Sequence, residues 1–264
     1  MDSLFILKVF LSFLIGGLWV VLATVLADKL GPKIGGLVSG LPSTVMFGLF
    51  FLAWTQNPSV AVQATTIIPI VGGINCLFLA CYICFVRKNI WQAILFSLFL
   101  WSCFSYVLVR IHFNNYTVSL LGYGALLAIS FFFVEKILKI TTVKGKKVVY
   151  SPLLIGGRAI LGGCVVALAI FLGKIGGPVF GGMFSMFPAM FISTMLVSYF
   201  SHGASFSAGM MKSSMISSIS IVVYSIIVRY TYIPLELGFG TVAAIGASFL
   251  SGFLIYKFII LKLK

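Results

Sequence analysis

The chain has 264 residues, of which 61% are hydrophobic and 8% are charged. Because a water-soluble domain usually carries roughly a quarter of charged residues, this composition excludes a soluble globule and indicates a protein of the lipid bilayer. The formal net charge of +14 does not favour nucleic-acid binding. Much of the Lys and Arg lies in short loops beside apolar segments, where positive charge sets membrane orientation.

Nine segments are long and apolar enough to cross about 30 Å of hydrocarbon as helices. They lie near residues 3–27, 34–54, 61–86, 90–109, 116–134, 152–173, 175–199, 204–229 and 237–259. The predicted fold is therefore all-α, a polytopic membrane protein with about nine transmembrane helices. The first segment contains a repeated Gly-Gly element, so we expect it to be retained rather than cleaved as a signal peptide.

Two stretches of the chain share one pattern at an offset of 146 residues. They are Gly31-Pro32-x-x-Gly35-Gly36-x-x-Ser39-x-x-Pro42 and Gly177-Pro178-x-x-Gly181-Gly182-x-x-Ser185-x-x-Pro188. Gly16-Gly17 and Gly162-Gly163 are also 146 residues apart. We call this spacing of 146 residues the repeat offset. Internal duplication is typical of membrane transporters. The pattern predicts a first four-helix repeat in residues 1–110, a connector helix and basic linker in 111–150, and a second four-helix repeat in 151–264. Because five spans separate the starts of the two copies, the second should be inverted relative to the first.

Basic residues are distributed unevenly between alternate loops. Twelve lie on the side of the C-terminus and four on the opposite side. The positive-inside rule therefore predicts an integral plasma (inner) membrane protein with its N-terminus outside and its C-terminus in the cytoplasm. The Lys-rich linker from Glu135 to Tyr150 is interpreted as an orientation signal, with contact to anionic lipid as the alternative.

Pro42 and Pro188 each interrupt an apolar segment. Proline lacks an amide hydrogen and frees a carbonyl group in the preceding turn, which must be buried in protein or face a wet cavity. Ser39 and Ser185, each three residues earlier, are the nearest polar side chains before the prolines. The sequence thus predicts two broken helices that meet near the midplane and present partial charges to a substrate. The alternative, left open, is that the repeated glycines serve close helix packing; these helix-break and packing residues are Gly31, Gly35, Gly36, Gly177, Gly181 and Gly182.

Charged and polar residues inside the spans complete the candidate site. Arg158 and Lys212 are the only charges predicted well inside spans, where they either meet an anion or snorkel to the surface. Their counterparts in the first copy are Ser12 and Thr66. Asn75 is either a polar ligand or a partner of a neighbouring helix. The predicted substrate-binding residues are Ser39, Pro42, Asn75, Arg158, Ser185, Pro188 and Lys212.

Acidic side chains are scarce. The four Asp and Glu residues fall at predicted span ends or in loops, which argues against a cation antiporter built on a buried carboxylate. We expect no catalytic residues, no metal site and no cofactor, because neither a catalytic triad nor a phosphate loop can be assembled. The five cysteines lie in apolar segments without ligand spacing and are interpreted as packing residues. The chain is therefore not expected to be an enzyme.

The run from Val179 to Phe191, with the turn Ser201-His202-Gly203 and the Ser-rich span after it, resembles the GlpM-type small integral membrane proteins. The resemblance covers about Gly163 to Leu254, and the first copy more faintly through Gly35-Gly36 and Leu41-Pro42. Those proteins are half-size, with four spans, so this chain resembles a duplicated relative with an added connector span. The resemblance implies a transporter-like membrane protein and names no substrate.

The function predicted from these features is a secondary transporter or exporter of a small anionic solute, working by alternating access. The alternatives are a lipid or amphiphile flippase and a non-transporting accessory membrane protein. The expected partners are membrane lipids and the solute, with no nucleic acid; a homodimer is left open.

Overall fold

A computed structural model describes residues 3–29, 34, 37–38, 41–140 and 152–262. Within these residues the chain is helical and contains no strand. The helices of the first part are α1 (Ser3–Lys29), α2 (Ser43–Thr55), α3 (Pro58–Ala64), α4 (Ile68–Phe85), α5 (Ile90–Arg110) and α6 (Tyr116–Phe132). Those of the second part are α7 (Pro152–Gly176), α8 (Pro178–Ser185), α9 (Ala189–His202), α10 (Ala204–Ser217), α11 (Ile219–Thr231) and α12 (Glu236–Phe258). A π-helical turn, Phe133–Ile137, continues α6.

Eight helical stretches of the described residues are long and apolar enough to cross a membrane. They agree with eight of the nine predicted spans, and α2 is a shorter apolar helix of 13 residues within the remaining predicted span, 34–54. Large apolar side chains project outward from several helices. Examples are Phe99 of α5, which is 70% exposed, and Phe239 of α12, which is 78% exposed. These features are compatible with a polytopic membrane protein whose outer helices face lipid.

Asparagine caps fix the starts of three helices. The side chain of Asn57 accepts a hydrogen bond from Val60 N, that of Asn89 accepts from Trp91 N and Gln92 N, and that of Asn115 accepts from Val118 N. Each cap satisfies amides that have no acceptor inside the helix. The caps therefore determine where α3, α5 and α6 begin.

Helices α1 and α7 pack closely along their glycines. Each of these glycines lies against atoms of the other helix, and the contacts come in pairs whose members are one repeat offset apart. Gly16 lies against Val166, and Gly162 against Val20. Gly17 lies against the Ala159 carbonyl, and Gly163 against the Phe13 carbonyl. At the end of this interface the Lys174 ammonium lies 5.9 Å from the centre of the Phe5 ring. Since the start of α1 meets the end of α7, the two helices are antiparallel.

The connector helix α6 packs between α4 and the α10–α11 segment. Its Ser119 hydroxyl accepts a hydrogen bond from Ile70 N at 2.9 Å, and its Tyr123 hydroxyl lies 3.1 Å from that of Ser218. At its N-terminal end the Arg229 guanidinium lies 4.2 Å from the centre of the Tyr116 ring. These contacts attach one face of the connector to the bundle, while side chains such as Leu121 and Ile129 on its other face are exposed.

Candidate functional site

The candidate site is built around two helix starts with the same backbone geometry. Pro42 precedes α2 with φ −75° and ψ 43°, and Pro188 precedes α9 with φ −75° and ψ 35°. Neither helix start has a side-chain cap. Both prolines therefore stand directly before a helix N-terminus, as expected for a helix break.

The hydrogen bonds around the two prolines also match at the repeat offset. Ser43 N donates to Leu41 O at 2.7 Å and Ala189 N to Phe187 O at 2.8 Å; Met46 N donates to Pro42 O at 2.6 Å and Ile192 N to Pro188 O at 2.9 Å. The tight turn at each proline satisfies one amide and sets the direction of the helix that follows.

Both prolines line one small cavity of about 20 Å³, which is room for about one water molecule. Most of its lining consists of pairs related by the repeat offset: Leu41 and Phe187, Pro42 and Pro188, Thr44 and Met190, Val45 and Phe191, and Asn75 and Ile221. We call it the central cavity. It lies where corresponding positions of the two halves of the chain meet.

The central cavity is polar on one side only. Ser43, Thr44 and Asn75 supply its polar side chains, and all three belong to the first half of the chain. The residues at the corresponding positions of the second half are Ala189, Met190 and Ile221. The backbone geometry at these positions thus matches, while the hydrogen-bonding side chains differ.

Asn75 connects the two halves. Its Nδ2 donates to Met186 O at 2.9 Å, the carbonyl at the C-terminal end of α8, just before the break at Pro188. Its Oδ1 is buried and has no hydrogen-bond partner among the described residues. The amide therefore satisfies a backbone group freed by the break and retains one acceptor at the wall of the central cavity.

The starts of α2 and α9 both lie at the central cavity, since Thr44, Val45 and Phe191 of their first turns line it. Amides of a first helical turn have no acceptor within their own helix and carry the positive end of the helix dipole. Two such ends converging on one cavity favour a negatively charged or electron-rich group there.

The serine and glycines of the second break pack helices together. Ser185 Oγ donates to Gly181 O at 2.8 Å, and the side chain fills the space beside Gly48 of α2. Gly182 lies against the Ala64 carbonyl. Gly177 has φ 89°, a conformation that other residues rarely adopt. Ser185 does not line the central cavity. The predicted residues Gly31, Gly35, Gly36 and Ser39 lie outside the described residues.

The two cations predicted inside spans are buried by the protein. Arg158 is 4% exposed and Lys212 is 1% exposed. Lys212 Nζ donates to Ile140 O at 2.6 Å and forms an ion pair with Glu135 at 2.5 Å. Neither cation lines the central cavity.

The pairing of Glu135 with Lys212 was not predicted, because Glu135 lies at a predicted span end rather than within a span. The available signal was that the carboxylate at the end of the connector and the charge of α10 fall on the same predicted side of the membrane.

A second, larger cavity of about 310 Å³ lies at one end of the bundle. Polar side chains of Gln63, His112 and Asn114 line it together with Val109 and the residues around the start of α8, which are Gly176, Pro178, Val179 and Phe180. We call it the outer cavity and the end of the bundle where it lies the His112 face. Within the described part of the chain no group of three or more His, Cys, Asp or Glu side chains could hold a metal ion.

Comparison with known proteins gives one family. The family described as "Protein of unknown function (DUF3147)" is similar to residues 9–114. No curated protein and no solved structure matches the chain.

Proposed function

We propose that this chain is a secondary transporter of a small anionic solute and that the central cavity is its binding site. The observation that carries the proposal is the convergence of two uncapped helix starts, behind Pro42 and Pro188, on one cavity. Broken helices that direct their N-termini at an anionic group are the usual construction of such sites in transporters.

The proposal includes an inverted-repeat architecture. Its support is that α2, α3 and α5 begin one repeat offset before α9, α10 and α12, respectively. The reciprocal contacts between antiparallel α1 and α7 add to this, because a twofold axis perpendicular to two helices generates such pairs. The family match ends at residue 114, close to the end of the first half. An axis of this kind would lie in the membrane plane.

The preference for an anion rests on the helix starts and on the hydroxyls of Ser43 and Thr44, which can donate hydrogen bonds. Glu135 already neutralises the charge of Lys212. Lys212 therefore stabilises the closed conformation and does not bind the solute directly. Arg158 stays a candidate ligand that would reach the solute in another conformation.

The size of the central cavity supports alternating access. A space for about one water molecule cannot hold a larger solute, so the site must enlarge when solute enters. The conformation described here is then an occluded, unloaded state. A small cavity enclosed between two helix breaks also suits a soluble solute better than a lipid, which would require a lateral opening.

Transport by purified protein in liposomes tests the proposal. Uptake of radiolabelled chloride, sulfate, phosphate, acetate and glutamate would be compared for the wild type, Thr44→Val and the matched control Thr194→Val. Thr194 is also buried, but its hydroxyl bonds to Met190 O and does not line the central cavity. We expect uptake of at least one anion, reduced tenfold or more by Thr44→Val and less than twofold by Thr194→Val.

The same vesicles distinguish the alternatives. Uptake of none of these anions, by protein that remains folded, would contradict the proposal. Accelerated exchange of a fluorescent phospholipid between leaflets would instead support a flippase.

A further inference from the structure

We infer that the outer cavity is the entrance through which the anion reaches the central cavity, and that the occluded conformation described here opens toward the His112 face. This inference rests on the proposed function and adds a second binding site and a direction to it.

The two cavities lie at opposite ends of one short helix. Pro178, Val179 and Phe180 at the start of α8 line the outer cavity, and Met186, just after its end, lines the central cavity. Eight residues at 1.5 Å per residue make α8 about 12 Å long. Helix α8 therefore spans the distance between the two cavities.

The helical structure is interrupted at both ends of α8. Gly177 precedes it with φ 89° and ψ 177°, and the turn through Met186 and Phe187 follows it before Pro188. Residues at the ends of an element absorb the dihedral changes of hinge motion. Helix α8 can therefore tilt as a unit without breaking hydrogen bonds inside itself, and its tilt would join the two cavities.

At the opposite end of the bundle, two of the corresponding positions are closed. The residues one repeat offset after Val109 and Asn114 are Ile255 and Ile260, which are 7% and 0% exposed. They pack with Ile216 in an apolar cluster. Val109 and Asn114 at the open His112 face thus correspond to packed apolar side chains at the other face, and this difference supports the direction.

The outer cavity suits a small hydrated anion. Its volume of about 310 Å³ exceeds that of several water molecules at about 30 Å³ each. Amide and imidazole groups of Gln63, His112 and Asn114 can replace part of the water shell of the solute. The start of α8, with its first-turn amides directed along the helix axis, faces the same space.

The test measures how an anionic, membrane-impermeant thiol reagent, 2-sulfonatoethyl methanethiosulfonate, reaches single cysteines from each side of the membrane. The five native cysteines are first replaced, and folding is verified by size-exclusion chromatography. Asn114→Cys reports the outer cavity, Thr44→Cys the central cavity and Ile260→Cys the opposite end. Ser43→Cys replaces Thr44→Cys if the latter does not fold.

We expect Asn114→Cys to react rapidly from the His112 face and Thr44→Cys to react from the same face more slowly. Ile260→Cys should react at least tenfold more slowly than Asn114→Cys from either side. Filling the outer cavity with Val179→Trp should slow Thr44→Cys tenfold or more. The matched control Val107→Trp, at a site that is 51% exposed on the outer surface of α5, should leave the rate unchanged.

Reaction of Thr44→Cys only from the opposite face would overturn the inference. So would a reaction rate of Thr44→Cys that Val179→Trp does not change. These rates do not depend on transport. Failure of the anion-uptake assay alone would therefore contradict the proposed function, whereas reversed accessibility with intact uptake would contradict only the entrance.

Discussion

The ammonium group of Lys212 lies 2.5 Å from a carboxylate oxygen of Glu135, and the two residues are unequally buried: the Lys212 side chain is 2% exposed and that of Glu135 is 30% exposed. The pair joins the end of the connector to α10. Because the lysine side chain is sealed in protein and the glutamate side chain is partly exposed, removing one partner should not cost the same as removing the other.

We predict that Glu135→Gln destabilises the protein more than Lys212→Met. The first change leaves a buried positive charge without its counter-charge, at a cost of about 3 kcal/mol, whereas the second leaves a carboxylate that water can reach. Unfolding in mixed micelles would measure both variants. Glu236→Gln, at an exposed position, is the matched control and should change stability by less than about 0.5 kcal/mol. Equal losses from both variants would contradict the expected effect of their unequal burial.

Asn75 should contribute to stability through the helix break of the opposite half. Asn75→Leu removes the donor to Met186 O and leaves a buried carbonyl unsatisfied, so we expect a loss of about 1–3 kcal/mol. Ile221→Leu, at the corresponding position of the same cavity, should cost less than about 1.5 kcal/mol. Thermal unfolding in detergent is the measurement. A neutral Asn75→Leu would mean that the Met186 carbonyl finds another partner.

The packing of α1 on α7 predicts matched effects at two glycines. A Cβ on Gly17 would collide with the Ala159 carbonyl, and one on Gly163 with the Phe13 carbonyl. Gly17→Ala and Gly163→Ala should therefore each lower stability by about 1–3 kcal/mol, and by similar amounts, because backbone atoms cannot move aside easily. Gly157→Ala, in open space on the same helix α7, should be neutral or slightly stabilising. Very different losses at the first two sites would argue against a twofold relationship.

Arg229 should stabilise the N-terminal end of the connector. Its guanidinium donates to the hydroxyls of Thr65 and Thr66 at 3.2 Å and lies over the ring of Tyr116. A lysine cannot make these contacts together, so Arg229→Lys should cost about 1–2 kcal/mol in thermal unfolding. Arg110→Lys, whose cation lies 6.0 Å from the Tyr106 ring at an exposed position, is the control and should change little.

The orientation of the chain is predicted from its basic loops. A single cysteine at position 145, in the Lys-rich linker, should be labelled by an impermeant maleimide only after cells are opened, because the linker is expected in the cytoplasm. A cysteine at Asn114 should be labelled in intact cells. Labelling of position 145 from outside intact cells would reverse the proposed topology and, with it, the side on which the outer cavity opens.

The sequence by itself indicated a polytopic membrane protein and the approximate positions of eight of its spans. Hydropathy and span length depend on local composition, so eight predicted spans agree with the helical stretches that are long enough to cross a membrane. The helix starts after Pro42 and Pro188 were also predictable, because the missing amide and the ring clash of proline act within one turn.

Only the tertiary structure decided which buried polar groups meet. The partner of Lys212 is a carboxylate beyond the end of another helix, and the partner of Asn75 lies 111 residues away. Ser185, although placed by the repeat beside a helix break, fills the space next to Gly48 instead of lining the central cavity. Such pairings depend on the crossing angle and register between helices distant in the chain. Local composition specifies that a buried polar group needs a partner, but the packing of the helices selects which partner it has.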